Sequence, residues 1–418
     1  MENLLSIFNH AELEIKVMIK RIAVKNLQVG MYISNLNNDW IPHNSIKKKG
    51  IIRSELVIDK VTKLGISELY IDTSKGKDHQ DAIPFSEVES ANQEKVEKVS
   101  GLTPHCKPTV SLADEMIVAS RVHEEAIGQI NNIKEDVKLG KAINLSPVDE
   151  LVDSMLNSIL RNHHALTCLG CIRDKDAYLM EHSVNLSVLM SVYGSSMNFS
   201  LDTLHKTMLG ALLHDIGKVM VPDKILHKPS CLTSVEFSVM KQHVTLGRDM
   251  LKSIDGFPQL SLTTMAEHHE RIDGSGYPEG LKGDEISQYG KMAAIIDVYD
   301  AITAERSYHK GMTPTQGIKK LLEWSENHLD KALVYHFIRC IGIYPVGSLV
   351  LLESGRLGVV IESNEFDQRL PTIRTMYNSK SRSYITTEVI DLAQAKVQDR
   401  IVKAVEPSDY LIQVKRFL

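Results

Sequence analysis

In Leu212-Leu213-His214-Asp215-Ile216-Gly217-Lys218 an apolar helical run ends on a histidine and an aspartate side by side. Adjacent residues on a helix do not face each other, so the pair can serve one divalent ion only if the helix stops there, with Gly217 freeing the backbone to turn. A lone His-Asp pair carries little weight in a chain of 17 histidines. The weight comes from similar residues elsewhere: His182 upstream, His243 downstream, then His268-His269 and Asp297. Imidazole and carboxylate donors with no cysteine among them suit iron, manganese or zinc in a hydrolytic site. Taken singly, each histidine is more simply a satisfied core or surface residue. Asp215 and Asp297, however, lie in strongly apolar sequence, where an unpaired buried carboxylate costs several kcal/mol unless a metal or partner compensates.

These residues need a frame, and the hydrophobic period provides one. His182 falls in a helix from Tyr178 through Val192, and His214 and Asp215 end the next. Thr233 and Glu236 read as a capping box opening the helix of His243, while His268 and His269 follow Met265 at a helix end. Asp297 lies among Ala293, Ala294, Ala301 and Ala304, small residues that let neighbouring helices approach closely. The expected architecture is mainly α, a helical bundle over 146–344 with a β-rich tail, 345–418, in which no ligand candidate falls. Ahead of the bundle, residues 1–75 read as an amphipathic extension and a small α+β module, with Met18 as an alternative start to Met1. Residues 76–110, rich in Lys, Glu, Ser, Gln and Asp, are expected as a flexible linker, and 111–145 as a connecting or dimerising helix.

Composition narrows the classes further. With 418 residues, a net charge of −5 and a sequence pI near 6.4, the chain can bury a large core but has no global positive field to gather a long nucleic acid. Five scattered cysteines fit a reducing compartment, and no apolar run reaches membrane-spanning length, so a cytoplasmic protein is expected. Cys168 and Cys171 sit at helical spacing in an apolar run, which favours core packing over redox or metal chemistry. The run Lys47 to Lys49 is most simply a solvated loop.

The order and spacing of His182, Leu213-His214-Asp215-Ile216-Gly217-Lys218, Pro222, Lys228-Pro229, His243, Gly247, His268-His269-Glu270, Asp273-Gly274-Ser275-Gly276-Tyr277-Pro278 and Asp297-Val298-Tyr299-Asp300-Ala301 resemble the HD-GYP family of cyclic di-GMP phosphodiesterases. Residues 18–75 also resemble the small module often found ahead of such domains in bacteria. The resemblance implies a helical HD-type metal-dependent phosphohydrolase bundle in which His182, His214, Asp215, His243, His268, His269 and Asp297 ligate two divalent transition-metal ions, iron or manganese foremost. It implies substrate-phosphate contacts from Lys218 and Arg306, with His309 and Lys310 beside them, and a Tyr277 able to pack on guanine. Asp215, Lys218 and Asp300 are the expected catalytic group, Asp300 and Glu270 as orienters of ligand histidines. Tyr178 stands where family members with a third metal carry glutamate, which favours a dinuclear centre. Ser230-Cys231 and Ser307 depart from the family pattern without touching a ligand. The implied activity is hydrolysis of cyclic di-GMP to linear pGpG, with the end product, pGpG or GMP, left open. Alternatives are another cyclic dinucleotide such as cyclic GMP-AMP, a general HD phosphohydrolase acting on nucleotides, or a non-catalytic cyclic-dinucleotide receptor.

Overall fold

Alternating apolar and polar residues near the start of the chain become a sheet, and the helical period beyond Ser111 becomes a bundle. The computed structural model describes residues 18–38, 49–99, 108–171, 178–228, 230, 232–304, 311–364 and 366–418. Its contacts form two units, residues up to 97 with 223–240, and residues 98–222 with 241–418.

In the first unit, strands β1 (Ile19–Ala23), β2 (Tyr32–Asn35), β3 (Gly50–Ile51), β4 (Glu68–Asp72) and β5 (Ile83–Pro84) form an antiparallel sheet in the order β3-β2-β4-β1-β5. Leu69 and Ile71 share one face with Ile22 and Ile33 and are closed over by Val61 of helix α1 (Glu55–Thr62). Tyr70, on the opposite face, meets the Phe85 ring edge-on at 5.5 Å. The expectation of a flexible linker over 76–110 is corrected here. Strand β5 pairs with β1, Lys20 opposite Pro84, and helix α2 (Phe85–Val99) follows at once. Helix α2 buries Val88, Asn92, Val96 and Val99, a helical stripe too sparse to register against its polar composition.

The second unit opens with helix α3 (Leu112–Lys138), started by Ser111, whose hydroxyl accepts the Asp114 amide at 3.2 Å. Ala119, Val122, Ala126, Ile130, Ile133 and Val137 form its buried stripe, and the helix packs on α4 (Ser146–Cys171). That stripe is covered within the chain, whereas Ile117 of the same helix stays exposed. One acid joins that stripe: Glu115 accepts from Ser158 at 2.7 Å and from Arg161 at 2.8 and 2.9 Å. Burial alone would raise the Glu115 pKa, but the hydrogen bonds from Arg161 and Ser158 outweigh it and hold the carboxyl below its usual range. A lowered folded-state pKa stabilises above the unfolded value and is lost as pH falls through the folded one. Glu115→Gln is therefore expected to lower unfolding free energy at neutral pH by about 1–2 kcal/mol, discounted because Arg161 is partly exposed. The gap from wild type should close on acidification below about pH 4, as urea titrations across pH would measure. Helix α4 is broken at Asn162 (φ −158°, ψ 98°), whose side chain donates to the Val110 carbonyl at 3.0 Å and accepts the His164 amide at 3.1 Å.

Helices α5 (Tyr178–Ser196) and α6 (Leu201–Leu212) follow as a packed pair. Past the short helix α7 (Asp223–Leu226) come α8 (Ser234–Lys252), α9 (Gln259–Ala266) and α10 (Gln288–Thr303). Helix α8 starts with the expected capping box, Thr233 accepting the Glu236 amide at 3.2 Å and Glu236 the Thr233 amide at 2.7 Å. Helix α10 is buried on all sides from Met292 to Asp300, the mark of a central core helix. Helices α11 (Pro314–Trp324) and α12 (Lys331–Ile341) complete the bundle.

Strands β6 (Leu349–Leu352), β7 (Arg356–Glu362), β8 (Thr372–Asn378), β9 (Ser383–Asp391) and β10 (Ile401–Ala404) form a second antiparallel sheet, ordered β10-β6-β7-β8-β9. This is the β-rich tail expected from the sequence. Cys168 of α4 shares a core with Val346, Val350, Val360 and Ile373, so it packs as a small apolar group. No described helix is long and apolar enough to cross a membrane.

Candidate metal centre

Two of the histidines are placed by the same local device. Helix α6 ends at Leu212, and His214 Nδ1 donates back to the Ala211 carbonyl at 2.7 Å; α9 ends at Ala266, and His268 Nδ1 donates back to the Met265 carbonyl at 2.5 Å. A terminal helix carbonyl has no amide partner of its own, so it can take the imidazole proton and leave Nε2 as a bare donor atom facing inward. His182, on α5, is set differently. Its Nδ1 lies 2.7 Å from Asp300 Oδ2, and Asp300 is held in turn by the Asn185 amide.

The inward atoms converge. His182 Nε2 lies 3.2 Å from His214 Nε2 and 3.2 Å from Asp297 Oδ1. Asp215 reaches both ways, Oδ2 at 3.3 Å from His214 Nε2 and Oδ1 at 3.3 Å from His243 Nε2. Asp297 does likewise, its Oδ2 lying 3.4 Å from His269 Nδ1. Two groups result, His182 with His214 and Asp215, and His243 with His268 and His269; within each, the donor atoms lie within 4.8 Å of one another. The two aspartates run between the groups.

Electrostatics agree with a cation-binding donor set. Burial, then the neighbouring His214, pushes His268 down to about 3, and burial with His268 and His243 holds His269 well below the usual imidazole range. Both rings are therefore neutral and carry lone pairs at neutral pH. Burial also pulls His182 down, but its bonds to Asp297 and Asp300 outweigh this and lift it to about 9, so a cation at this ring would take the place of the Nε2 proton. Burial opposes ionisation of Asp215, yet His214 and Lys218 keep it well below the usual carboxylate range. Among the described residues, Asp215 Oδ1 and His268 Nε2 are buried with no hydrogen-bond partner. Buried polar atoms are normally satisfied, so lone pairs aimed at one another fit divalent cations between them.

Gly217 lets the first group meet α8. A Cβ there would stand 1.9 Å from the His243 carbonyl oxygen and 2.5 Å from the Gly247 amide nitrogen. The glycine is thus required for close approach; freedom to turn, the role expected from the sequence, is not used within the 3-10 segment Ile216–Met220. Gly217→Ala is expected to cost about 3 kcal/mol in a urea titration and to lower metal content, since only backbone could yield.

The other glycine-rich segment encloses the site. Gly276 lies so near the backbone of His269 to Arg271 that a Cβ would fall 2.4 Å from the Arg271 amide nitrogen. Glu270 accepts the amides of Glu279, Gly280 and Leu281 at 2.8, 3.1 and 3.0 Å. That carboxylate anchors the loop, a correction to its expected role as orienter of a histidine. Tyr277 rests against His269 with ring centroids 4.6 Å apart, and Lys241 Nζ stands 5.7 Å over its ring. Lys218 Nζ bonds Asp215 Oδ2. Asp300 is fully buried behind His182, where it holds that ring without facing the cluster. Arg306, His309 and Lys310 lie outside the described residues. Asn185, which holds Asp300, was missed in the sequence; its one signal is a helical offset of three from His182 that puts both on one face.

A helical bundle carrying a His-Asp doublet, with imidazoles and carboxylates gathered from its helices, defines an HD-domain hydrolase. Residues 167–333 match the family model described as HD domain, and residues 19–148 match one described as a domain of unknown function, DUF3391. The chain is 35% identical over 393 residues to the cyclic di-GMP phosphodiesterase PA4108 of Pseudomonas aeruginosa, covering 94% of this chain and 93% of that one. It is 40% identical over 175 residues to a cyclic di-GMP phosphodiesterase of Thermotoga maritima, covering 42% and 47% of the two chains. Over 123 residues it is 43% identical to the 3'3'-cGAMP-specific phosphodiesterase 2 of Vibrio cholerae, covering 29% and 24%. The chain belongs to the HD-GYP family of metal-dependent phosphodiesterases.

Proposed function

We propose that this protein hydrolyses cyclic di-GMP to linear pGpG, and onward to GMP, at a dinuclear centre of iron or manganese. His182, His214 and Asp215 would hold one ion, His243, His268 and His269 the other, with Asp215 and Asp297 between them. The observation that carries the reading is the convergence of these seven side chains around lone pairs with no competing hydrogen bond at Asp215 Oδ1 and His268 Nε2 among the described residues. Bound divalent ions supply an acidified water and an electrostatic clamp on the phosphodiester.

The chain's own residues do the rest. Lys218, beside Asp215, offsets charge on the phosphoryl oxygens, and Arg306 offers a two-pronged donor, supported by His309 and Lys310. Tyr277 keeps His269 in place through ring contact and presents its remaining surface to a guanine base. Asp300 fixes the His182 tautomer. Likeness along nearly the whole chain to a cyclic di-GMP phosphodiesterase favours that substrate over cyclic GMP-AMP, whose relatives in Vibrio cholerae align over 29% and 36% of the chain. The free thiols of Cys168 and Cys340 suit the reducing cytoplasm, where we place the protein.

Metal-loaded protein incubated with cyclic di-GMP, cyclic GMP-AMP and linear nucleotides, with products resolved by chromatography, tests this. Turnover of cyclic di-GMP to pGpG is expected. Turnover of cyclic GMP-AMP alone would transfer the substrate assignment, and binding without product would leave a receptor.

A further inference from the structure

Helix α3 brings one charged residue to the centre that the HD stretch does not contain. Lys134 lies in line with the buried Ile130 and Val137, at offsets of four and three, so it occupies the edge of the buried stripe and is half-buried. The helix packs on the 3-10 segment Ile216–Met220, which directly follows Asp215, and the Lys134 ammonium is within electrostatic reach of Asp215 and Lys218. Residues three and four away along the helix are Ile130, Asn131, Val137 and Lys138, none of them a carboxylate that could explain the charge as a helix-surface pair. Among the described residues Lys134 makes no hydrogen bond or ion pair.

A neutralising role toward Asp215 does not account for it, because Lys218 is already bonded to that carboxylate. A second ammonium near the same carboxylate meets repulsion from Lys218, and its half-buried position adds a desolvation penalty. An apolar residue at this stripe position would meet neither penalty. A phosphodiester, with one negative charge, relieves both when it binds between the two lysines.

We propose that Lys134 is a substrate-phosphate contact acting beside Lys218, supplied to the catalytic centre by the stretch that matches the separate N-terminal family model. This rests on the phosphodiesterase reading above. It means that the HD stretch, residues 167–333, lacks part of its own substrate site.

The test uses the full chain, metal-loaded, with Lys134→Met, which keeps the aliphatic stem and removes the charge, and Lys134→Arg, which keeps the charge. Steady-state kinetics on cyclic di-GMP, calorimetric binding of inorganic phosphate and elemental analysis are the three readouts. Lys134→Met is expected to raise KM and weaken phosphate binding by about tenfold each, the scale of one charge-assisted hydrogen bond, with kcat less affected, metal content unchanged and Lys134→Arg largely restored. Unchanged KM and unchanged phosphate affinity would overturn the proposal. So would a loss of metal in step with the loss of affinity, which would mean that Lys134 acts through Asp215. Should the wild type turn over no cyclic di-GMP, the functional reading falls on its own, and the phosphate comparison still decides the role of Lys134.

Discussion

Replacing His214 and Asp215 together with alanine is expected to abolish turnover while leaving the bundle folded. Asp215 touches both donor groups, lying 3.3 Å from His214 and 3.3 Å from His243, so its loss with His214 strips the first group to His182 and weakens the second. Elemental analysis should fall from about two ions per chain to one at most. Without the ions neither the nucleophile nor the charge of the displacement is provided for, and kcat/KM should drop by at least about 10⁴, or roughly 5.5 kcal/mol of transition-state stabilisation. The fold survives because the packing around these residues is made by others: Leu209, Leu212 and Leu213 are buried beside them, and both substitutions remove buried polar groups. Circular dichroism should keep the helical signal. A double variant that retains wild-type turnover would end the assignment of this cluster as the catalytic centre.

The centre was legible because each candidate stands at a place where helix chemistry and apolar sequence conflict. An aspartate among alanines and isoleucines, as at Asp297, or a histidine directly after an apolar helix, as at His214 and His268, is a local anomaly visible in one dimension. The distances among His182, His214, His243, His269, Asp215 and Asp297 were not visible, since they depend on how α5, α6, α8 and α10 cross. Three further features were hidden for distinct reasons. Glu270 was read beside the histidines it follows, but its partners are amides nine to eleven residues on, and loop closure alone brings them to it. Helix α2 was hidden by averaging, because four buried positions in fifteen residues leave a segment polar in composition yet patterned in three dimensions. Lys134 was hidden by its surroundings in sequence, lying in a stretch that carries no other site residue; its one signal is a lysine standing in the apolar stripe between Ile130 and Val137.

Asp300 carries the other large effect, and the effect separates positioning from reaction. Its Oδ2 takes the His182 Nδ1 proton at 2.7 Å, while Oδ1 accepts the Asn185 amide. Fixing the proton on Nδ1 presents a lone pair at Nε2, the atom 3.2 Å from both His214 Nε2 and Asp297 Oδ1. Asp300→Ala removes the acceptor and leaves two buried donors, so the ring can rotate or shift its proton to Nε2, where it blocks the donor atom. Metal affinity measured by chelator competition is expected to fall about 100-fold, with kcat at saturating metal much less reduced, because Asp300 lies behind its ligand. Asp300→Asn keeps the shape but offers one acceptor and one donor to neighbours that both donate. Either Asn185 turns its amide over, which preserves the His182 tautomer, or His182 takes the wrong one. The first outcome costs the charge alone and about tenfold in affinity; pairing Asp300→Asn with Asn185→Asp restores an acceptor at the second position and should recover part of that loss. If Asp300→Ala keeps wild-type metal affinity and turnover, the tautomer of His182 is set by something other than this carboxylate, and the chain from Asn185 through Asp300 to the metal centre carries no function.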